Sequence, residues 1–350
     1  MVAAGSSLSV AMAPPSPLAL ALTLGEPAGV GPDIALLAWH RREAAAGPFL
    51  LIGDRQCLAV RSRLMGLDTP LATIAAPAEA PAVFDRALPV LGEPLGSQPN
   101  PGAPDAAAAG AVVRAIEMAV GLALDGQVAG VVTNPIHKES LYRTGFAHQG
   151  HTDFLAHLAR RAGHAAQPVM MLSAGALRTV PLTIHSPLKD VAQAITEEVI
   201  IAQGRIVARE LSGLLGYRPV RMAVAGLNPH AGENGTIGTE ERDIIAPAIA
   251  RLRSEGLDIT GPLSADTLFH DEVRGRFDVF LCMYHDQALI PVKTIGFHHG
   301  VNATLGLPFV RTSPDHGTAL ALAGTGEANP SSLLAALKLA RQLAGARARR

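Results

Sequence analysis

The chain has 350 residues, is 48% hydrophobic and only 4% aromatic, and carries a formal net charge of −1. This length favours two domains or one large lobed unit. The balanced charge argues against a nucleic-acid-binding protein, which would show a basic face. Its two cysteines form no disulfide framework or zinc ribbon, which indicates reduced thiols in a cytoplasmic protein. No apolar run is long enough to span a membrane, so we expect no membrane partner.

The first 16 residues are rich in Ala, Ser and Pro, and the first charged residue of the chain is Glu26. A secretory signal peptide carries positive charge before its apolar part. We therefore expect residues 1–16 to be a disordered extension.

Apolar runs and amphipathic stretches alternate along the rest of the chain. We predict strands at residues 18–24, 48–53, 128–132, 170–174, 179–184, 220–227 and 278–283. We predict helices after the Gly-rich turn at residues 25–31 and over residues 55–65, 105–124, 154–161, 196–215, 239–252 and 331–344. Short strands and irregular surface are expected over residues 71–105, and a loop over 261–270. Such alternation is typical of an α/β fold.

The Gly-rich turn, GEPAGVGPDI, joins a strand to a helix. Its spacing matches neither the dinucleotide-binding fingerprint nor a Walker loop. Pro32 suits the first turn of the helix, and Asp33 suits its positive end. The pattern leaves open an anion site and a purely structural turn.

Three predicted strands lead into a histidine: TVPLTIH at His185, MAVAGLNPH at His230 and DVFLCMYH at His285. In open α/β sheets, ligands bind at the carboxyl ends of the strands. Three imidazoles that converge there suit a metal site with an open position. Each histidine by itself is more often a structural residue than a metal ligand. The separations form no local metal motif, so the prediction depends on topology.

Other polar side chains indicate an anionic substrate. Lys293 and Arg311 are fixed cations, and an arginine suits bidentate binding of phosphate or carboxylate. Asn302 and Thr152 can donate hydrogen bonds to oxygens. His151 precedes a predicted helix and has no evident structural role there.

Asp266 and Asp286 are candidate proton acceptors or orienting groups, and both are also compatible with loop or surface positions. A three-histidine metal site without a carboxylate ligand keeps its positive charge and polarises a bound oxygen strongly. A metal-dependent phosphate-ester hydrolase and a non-catalytic binding protein are the alternatives from other functional classes.

Seven motifs stand in order along the chain: GEPAGVGPDI, TNPIHK, GHTDFLA, LNPHAGENGTIGTEE, GPLSADTLFH, YHDQALIPVK and GVNATLGLPFVRTSPDHGTALALAGTG. Over residues 18–340 the chain resembles the 4-hydroxythreonine-4-phosphate dehydrogenase family. The resemblance implies NAD- or NADP-linked oxidation of the C3 hydroxyl of 4-phosphooxy-L-threonine. Loss of CO₂ then leads to 3-amino-2-oxopropyl phosphate in pyridoxal 5′-phosphate biosynthesis. It also implies a two-lobed α/β/α fold like that of isocitrate and isopropylmalate dehydrogenases, with a cleft between the lobes.

The resemblance also assigns residues. The ligands of one divalent metal (Zn, Mg or Co) fall on His185, His230 and His285. The substrate-binding positions fall on His151, Thr152, Lys293, Asn302 and Arg311. The candidate catalytic residues are Lys293, Asp266 and Asp286. The nicotinamide cofactor loop falls on His316, Gly317, Thr318 and Ala319.

The family is a homodimer with its active site at the subunit interface, so we expect one metal histidine, His285, to come from the partner subunit. We expect a first lobe of residues 17–150 plus 305–350 and a second lobe of residues 151–304 that carries the interface. The nearest alternative is a sister branch that oxidises 4-phospho-D-threonate or erythronate. Asn234 is expected to tolerate a left-handed conformation. His298 and His299 are either exposed or in contact with substrate or metal, and we favour exposure.

Overall fold

The computed structural model describes residues 18–216 and 218–349, and the predicted extension lies outside this part of the chain. The strands are β1 (Leu20–Thr23), β2 (Phe49–Gly53), β3 (Leu71–Ile74), β4 (Leu88–Gly92), β5 (Val131–Thr133), β6 (Val169–Ala174), β7 (Leu177–Pro181), β8 (Met222–Ala225), β9 (Ile259–Leu263), β10 (Val279–Cys282), β11 (Val301–Leu305) and β12 (Arg311–Pro314). The α-helices are α1 (Gly31–His40), α2 (Arg55–Leu64), α3 (Ala80–Val83), α4 (Ala109–Leu124), α5 (Lys138–Tyr142), α6 (His151–Arg161), α7 (Leu188–Ala194), α8 (Glu197–Leu214), α9 (Ala246–Ser254), α10 (Asp271–Arg274), α11 (His285–Gly296) and α12 (Ser331–Ala348).

These strands form one mixed sheet in the order β3-β4-β2-β1-β5-β12-β11-β6-β7-β10-β8-β9. The first six strands in this order are parallel to one another. The last four form a second parallel block. β11 and β6 join the two blocks through antiparallel pairs, so the blocks run in opposite directions. The predicted α/β class is confirmed, while the division into two lobes stays a prediction.

The two faces of the sheet are covered differently. On one face, a single apolar core under α1, α8, α9 and α12 extends across both blocks. On the other face, one cluster lies under α4 and α6, and a separate cluster lies under α11. Side chains alternate between the faces of a strand. Arg311 pairs with Val131 of the first cluster and Asn302 with Leu172 of the second, so both residues point toward the gap between the clusters.

Local signals account for several helix boundaries. The turn before α1 has Gly25 at φ +72°, and Asp33 lies in the first turn of the helix, as predicted. The carboxylate of Asp54 accepts a hydrogen bond from the Cys57 backbone N–H at 2.8 Å and caps α2. The Thr196 hydroxyl accepts one from the Val199 N–H at 3.3 Å and caps α8. The predicted bounds of α2 and α8 are correct to within one residue at each end.

Other predicted boundaries are wrong, for tertiary reasons. The predicted loop at residues 261–270 begins inside β9, because Ile259–Leu263 pairs with β8 at the end of the sheet. α6 begins at His151 rather than at Phe154, because apolar spacing marks only the part of a helix that is buried. Lys293 lies on α11, which continues through Pro291.

One helical stretch, Ala106–Leu124, is long and apolar enough to cross a membrane by length and composition. Val112, Ile116 and Val120 from this stretch pack in the cluster on the sheet beside β1 and β2. It is therefore a core helix.

Candidate active site

Polar side chains line the gap between the two apolar clusters, and we call this gap the polar groove. Its residues are Thr133, His151, Asn302, Thr304 and Arg311. Three of their buried atoms lack a hydrogen-bond partner among the described residues, namely His151 Nε2, Asn302 Oδ1 and Arg311 Nε. An unpaired buried polar atom costs about 1–3 kcal/mol, so such atoms are rare without a reason. The concentration of three in one groove indicates a ligand site.

Arg311 is the deepest charge in the polar groove, with 3% of the residue exposed. Its Nη1 donates to the Thr304 hydroxyl at 3.0 Å, and its Nη2 donates to the Thr133 hydroxyl at 2.7 Å. Burial lowers the pKa of Arg311 to about 10, and no described carboxylate offsets that effect. A buried cation without a counter-ion is costly, and an anionic ligand would remove that cost.

His151 begins α6 and faces the same charge. Burial lowers its pKa well below the ordinary value, and the nearby Arg311 and Lys138 lower it further. The imidazole is therefore neutral, and its Nε2 is free to bond to a ligand. Thr152 follows it in the first turn of α6 and is partly exposed. Of the two predicted substrate residues of this helix, His151 lies at the polar groove.

Lys293 and Asn302 lie at the α11 side of the groove. The Lys293 Nζ is 2.9 Å from the carboxylate of Asp315, the residue that follows β12. Asp315 also donates its backbone N–H to the Gly300 carbonyl, just before β11, at 3.2 Å. Because Asn302 is the second residue of β11, this ion pair lies at the same end of that strand. Lys293 is therefore already paired, unlike Arg311.

His185 and His285 follow the neighbouring parallel strands β7 and β10, and their ring centroids are 6.1 Å apart. The Nδ1 of His285 is 2.7 Å from the carboxylate of Asp286. A carboxylate in this position orients an imidazole and leaves its Nε2 for a metal. Burial, then Lys138, then His285 lower the pKa of His185. The structure therefore brings together two of the three predicted metal histidines and the predicted Asp286.

His230 follows β8, on the other side of β10, in a strained turn. The five residues from His230 to Asn234 have positive φ values between 44° and 76°. A left-handed conformation costs a non-glycine residue roughly 1–2 kcal/mol, and such strain clusters at functional sites. The prediction for Asn234 is confirmed. The carboxylate of Asp266 lies near His230 and accepts a hydrogen bond from the Ser264 hydroxyl at 2.5 Å, which lowers the pKa of Asp266.

No three His, Cys, Asp or Glu side chains lie close enough to hold a metal ion within residues 18–216 and 218–349. His185 and His285 supply two neighbouring imidazoles, and His230 stands outside that pair. Imidazole donors suit zinc and cobalt. The donor set therefore fits a divalent metal in its chemistry, but one chain in this arrangement leaves the set incomplete.

The predicted cofactor loop, His316–Ala319, lies against the Gly-rich turn. Val30 donates its backbone N–H to the Thr318 carbonyl at 2.9 Å. A Cβ on Gly29 would come to 2.9 Å from that same carbonyl oxygen, so glycine permits this contact. The loops follow β1 and β12, at the carboxyl ends of parallel strands where α/β sheets bind ligands.

Comparison with known proteins supplies the family. The family model described as pyridoxal phosphate biosynthetic protein PdxA matches residues 45–340. The chain belongs to the PdxA family. It is 55% identical over 329 residues to a 4-hydroxythreonine-4-phosphate dehydrogenase of Methylorubrum populi, covering 93% of this chain and 94% of the relative. It is 51% identical over 337 residues to the protein of the same name from Bradyrhizobium diazoefficiens, covering 94% and 97%.

Solved structures agree with this membership of the PdxA family. The 4-hydroxythreonine-4-phosphate dehydrogenase of Klebsiella pneumoniae has a TM-score of 0.83 at 38% identity, covering 93% of this chain and 99% of that one. A terephthalate 1,2-cis-dihydrodiol dehydrogenase of Burkholderia xenovorans has a TM-score of 0.64 at 28% identity, covering 93% and 98%. The resemblance seen in the motifs is confirmed, and the chain is an oxidoreductase.

Sequence reasoning did not assign two residues of this PdxA-family site. Lys138 begins α5, and its charge lowers the pKa of both His151 and His185, so it lies between the polar groove and the histidine pair. Thr133 holds the Arg311 guanidinium. Both residues follow the predicted strand at 128–132. The polar residues after that strand were the sequence signal that could have assigned them to the site. His298 and His299 are exposed, as favoured from the sequence.

Proposed function

We propose that this protein oxidises 4-phosphooxy-L-threonine with NAD or NADP to 2-amino-3-oxo-4-(phosphooxy)butanoate. That product loses CO₂ to give 3-amino-2-oxopropyl phosphate, in pyridoxal 5′-phosphate biosynthesis. The observation that carries the proposal is Arg311, a buried guanidinium without a counter-ion beside a neutral His151, in a member of this family. Such a site recognises a small anion.

The polar groove holds the phosphorylated substrate by its anionic groups. Arg311 and the free Nε2 of His151 bind substrate oxygens, and Thr152 and Asn302 add neutral hydrogen bonds. A guanidinium already held by two threonine hydroxyls keeps its orientation before substrate arrives, so little ordering cost remains at binding. Lys293 exchanges its bond to Asp315 for the substrate carboxylate.

A bound nicotinamide cofactor would accept the hydride from C3, and the hydroxyl proton leaves to a base. His185, His230 and His285 would hold one divalent metal ion, either zinc, magnesium or cobalt. When bound, the metal lowers the pKa of the substrate hydroxyl and polarises the ketone that results. The Asp286 carboxylate keeps the Nδ1 proton of His285 in place, so that Nε2 faces the site.

Acid–base steps need groups that lie near the reacting carbon. Lys293 leaves one proton on Asp315 when their ion pair opens. The neutral amine then takes the hydroxyl proton and returns one to the carbon that loses CO₂, so the balance is one NAD reduced and one CO₂ released. Asp266 orients His230 through its charge. The backbone of His316, Gly317, Thr318 and Ala319 binds the adenosine part of the cofactor beside the Gly-rich turn.

The active form is a cytoplasmic homodimer in which two chains complete the metal site. Exposed apolar side chains of α11 and its end support this assembly: Ile290 is 63% exposed and Phe297 is 70% exposed. Apolar side chains that lie together at a surface mark a contact with another protein. The incomplete ligand set of a single chain is the second reason.

NADH formation with 4-phosphooxy-L-threonine, with and without prior chelation, tests the proposal. Metal-dependent turnover of this substrate, with 4-phospho-D-threonate tested beside it, is the expected result. A preference for phospho-D-threonate or erythronate would assign the chain to the sister branch with the same metal and hydride chemistry. Equal activity after chelation would exclude the metal role of the three histidines, and no turnover of either substrate would overturn the proposal.

A further inference from the structure

A second group of cations lies at the amino-terminal ends of β7, β8 and β10, at the opposite ends of these strands from the three histidines. Arg178 is the second residue of β7, Arg221 precedes β8 and Asp278 precedes β10. Together with Arg274 of α10 they line a cavity of about 480 Å³, which we call the arginine pocket. This volume lies within the range of small-molecule sites.

Asp278 carries most of the compensating negative charge of the arginine pocket. It accepts hydrogen bonds from Arg218 at 2.6 and 2.7 Å and from Arg221 at 3.0 and 3.1 Å. Burial raises its pKa, but these two guanidinium groups hold it well below the ordinary value. Asp258 adds a weaker attraction to both arginines. One buried carboxylate thus serves two arginines and has no oxygen left for a third.

Arg178 is that third cation. Its Nη1 donates only to the backbone carbonyls of Ala176 at 3.2 Å and Asp278 at 3.3 Å. Its Nε is buried and has no partner among the described residues. Burial lowers the pKa of Arg178, and the attraction of Asp278 offsets only part of that effect. An anion in the cavity would supply the missing counter-charge.

Arg274 adds a further cation at the rim. Its partner is Asp271, whose side chain is 88% exposed, so water largely screens that pair. The wall beside it contains the apolar residues Phe277 and Ile295. The pocket therefore combines guanidinium groups, which match phosphate geometry, with apolar surface for the rest of a ligand.

We propose that the arginine pocket binds a small phosphorylated metabolite, with its phosphate held by Arg178, Arg221 and Arg274. The occupant would contact Ile295 near the end of α11, the helix that begins at His285. The same helix end rests on β6, because a Cβ on Gly296 would collide with the side chain of Ala174. A ligand here is thus in contact with the element that carries one of the histidines.

Titration calorimetry with inorganic pyrophosphate tests this site without any turnover. Wild type is expected to bind two equivalents per chain, one in the polar groove and one in the arginine pocket. Arg311→Gln should lose the first equivalent only. Arg274→Gln and Arg178→Gln should weaken the second at least tenfold. Arg205→Gln, which removes an equal charge where Arg205 pairs with Glu255 on the surface, is the matched control.

Arg274 lies at the rim of the cavity, so its variant should fold even where Arg178→Gln does not, and circular dichroism checks both. Two equivalents that persist unchanged in the folded pocket variants would overturn the proposal. So would a wild type that binds a single equivalent abolished by Arg311→Gln. Because Arg311→Gln reports the polar groove separately, failure of the arginine pocket is distinguishable from failure of the proposed function.

Discussion

Arg61 and Arg311 are equally buried, at 2% and 3% exposed, but their surroundings differ in one respect. Arg61 of α2 forms an ion pair with Asp33 of α1. It also donates to the carbonyls of Gly29 and Pro27, both at 2.9 Å. Asp33 in turn accepts a hydrogen bond from the Gly324 N–H at 2.6 Å. Arg61 is thus fully compensated by the fold.

Arg311 has only two threonine hydroxyls as side-chain partners, and its Nε has none among the described residues. The fold bears the cost of this charge without a carboxylate to offset it. The comparison teaches that burial by itself does not mark function. What distinguishes a binding arginine from a structural one is the absence of a protein counter-ion. Four measurements test this distinction.

The largest effect is expected for Arg61→Met. The substitution leaves the Asp33 carboxylate buried without a cation, which costs about 3–5 kcal/mol. Urea denaturation measures the free energy of unfolding. The double variant with Asp33→Asn should recover part of the loss, because no buried charge then remains. A loss below about 1 kcal/mol would show that the pair does not have the structural role inferred for it.

Arg311→Met should affect activity and not stability, which is the opposite of the effect expected for Arg61→Met. Removing an uncompensated buried cation should leave the free energy of unfolding unchanged or raised. Loss of its contact to the substrate anion should lower kcat/KM by about 100-fold or more, equivalent to about 3 kcal/mol. NADH formation and urea denaturation of the same preparation give both values. Destabilisation as large as that of Arg61→Met would contradict the inference that Arg311 is a binding and not a structural arginine.

Lys138→Met tests the cation that lies between His151 and His185. We expect KM for the phosphorylated substrate to rise about tenfold, equivalent to about 1.4 kcal/mol, because an exposed cation binds an anion weakly. Arg143→Met, at the residue that follows the same helix, is the matched control, since Arg143 already pairs with Glu139 at 2.6 Å. Equal effects of the two substitutions on KM would show that Lys138 is not part of the site.

The smallest effect concerns pH. Burial, Arg311 and Lys138 hold the pKa of His151 well below its ordinary value in the folded chain. Below about pH 6.5 the unfolded chain therefore binds a proton that the folded chain does not, and stability falls as the pH drops. Between pH 7.5 and pH 5.5, we expect the free energy of unfolding of His151→Gln to fall by about 1 kcal/mol less than that of the wild type. The exposed His298→Gln is the control, and an unchanged pH dependence in His151→Gln would contradict this origin.

Much of the site could be predicted because its signals are local. The ends of β7 and β10 carry His185 and His285, and apolar runs mark both strands in the sequence. Residue type predicted that Asn234 would tolerate a left-handed conformation, but it did not predict the same conformation for His230, Ala231 and Glu233. By contrast, the polar end of the preceding strand was a weak signal for Lys138, because a lysine at the start of a short helix is ordinary until the fold brings it close to His151 and His185.

The sequence by itself determined the family, the alternation of strands and helices and the identity of most candidate site residues. These follow from motifs and periodicities that each span a few residues. Three features follow only from the packed fold: β7 lies beside β10, the two blocks of the sheet run in opposite directions, and Arg61 has a carboxylate partner while Arg311 has none among the described residues. The reason is physical: compensation of a buried charge depends on partners that are distant in the chain, and packing of the whole fold selects them.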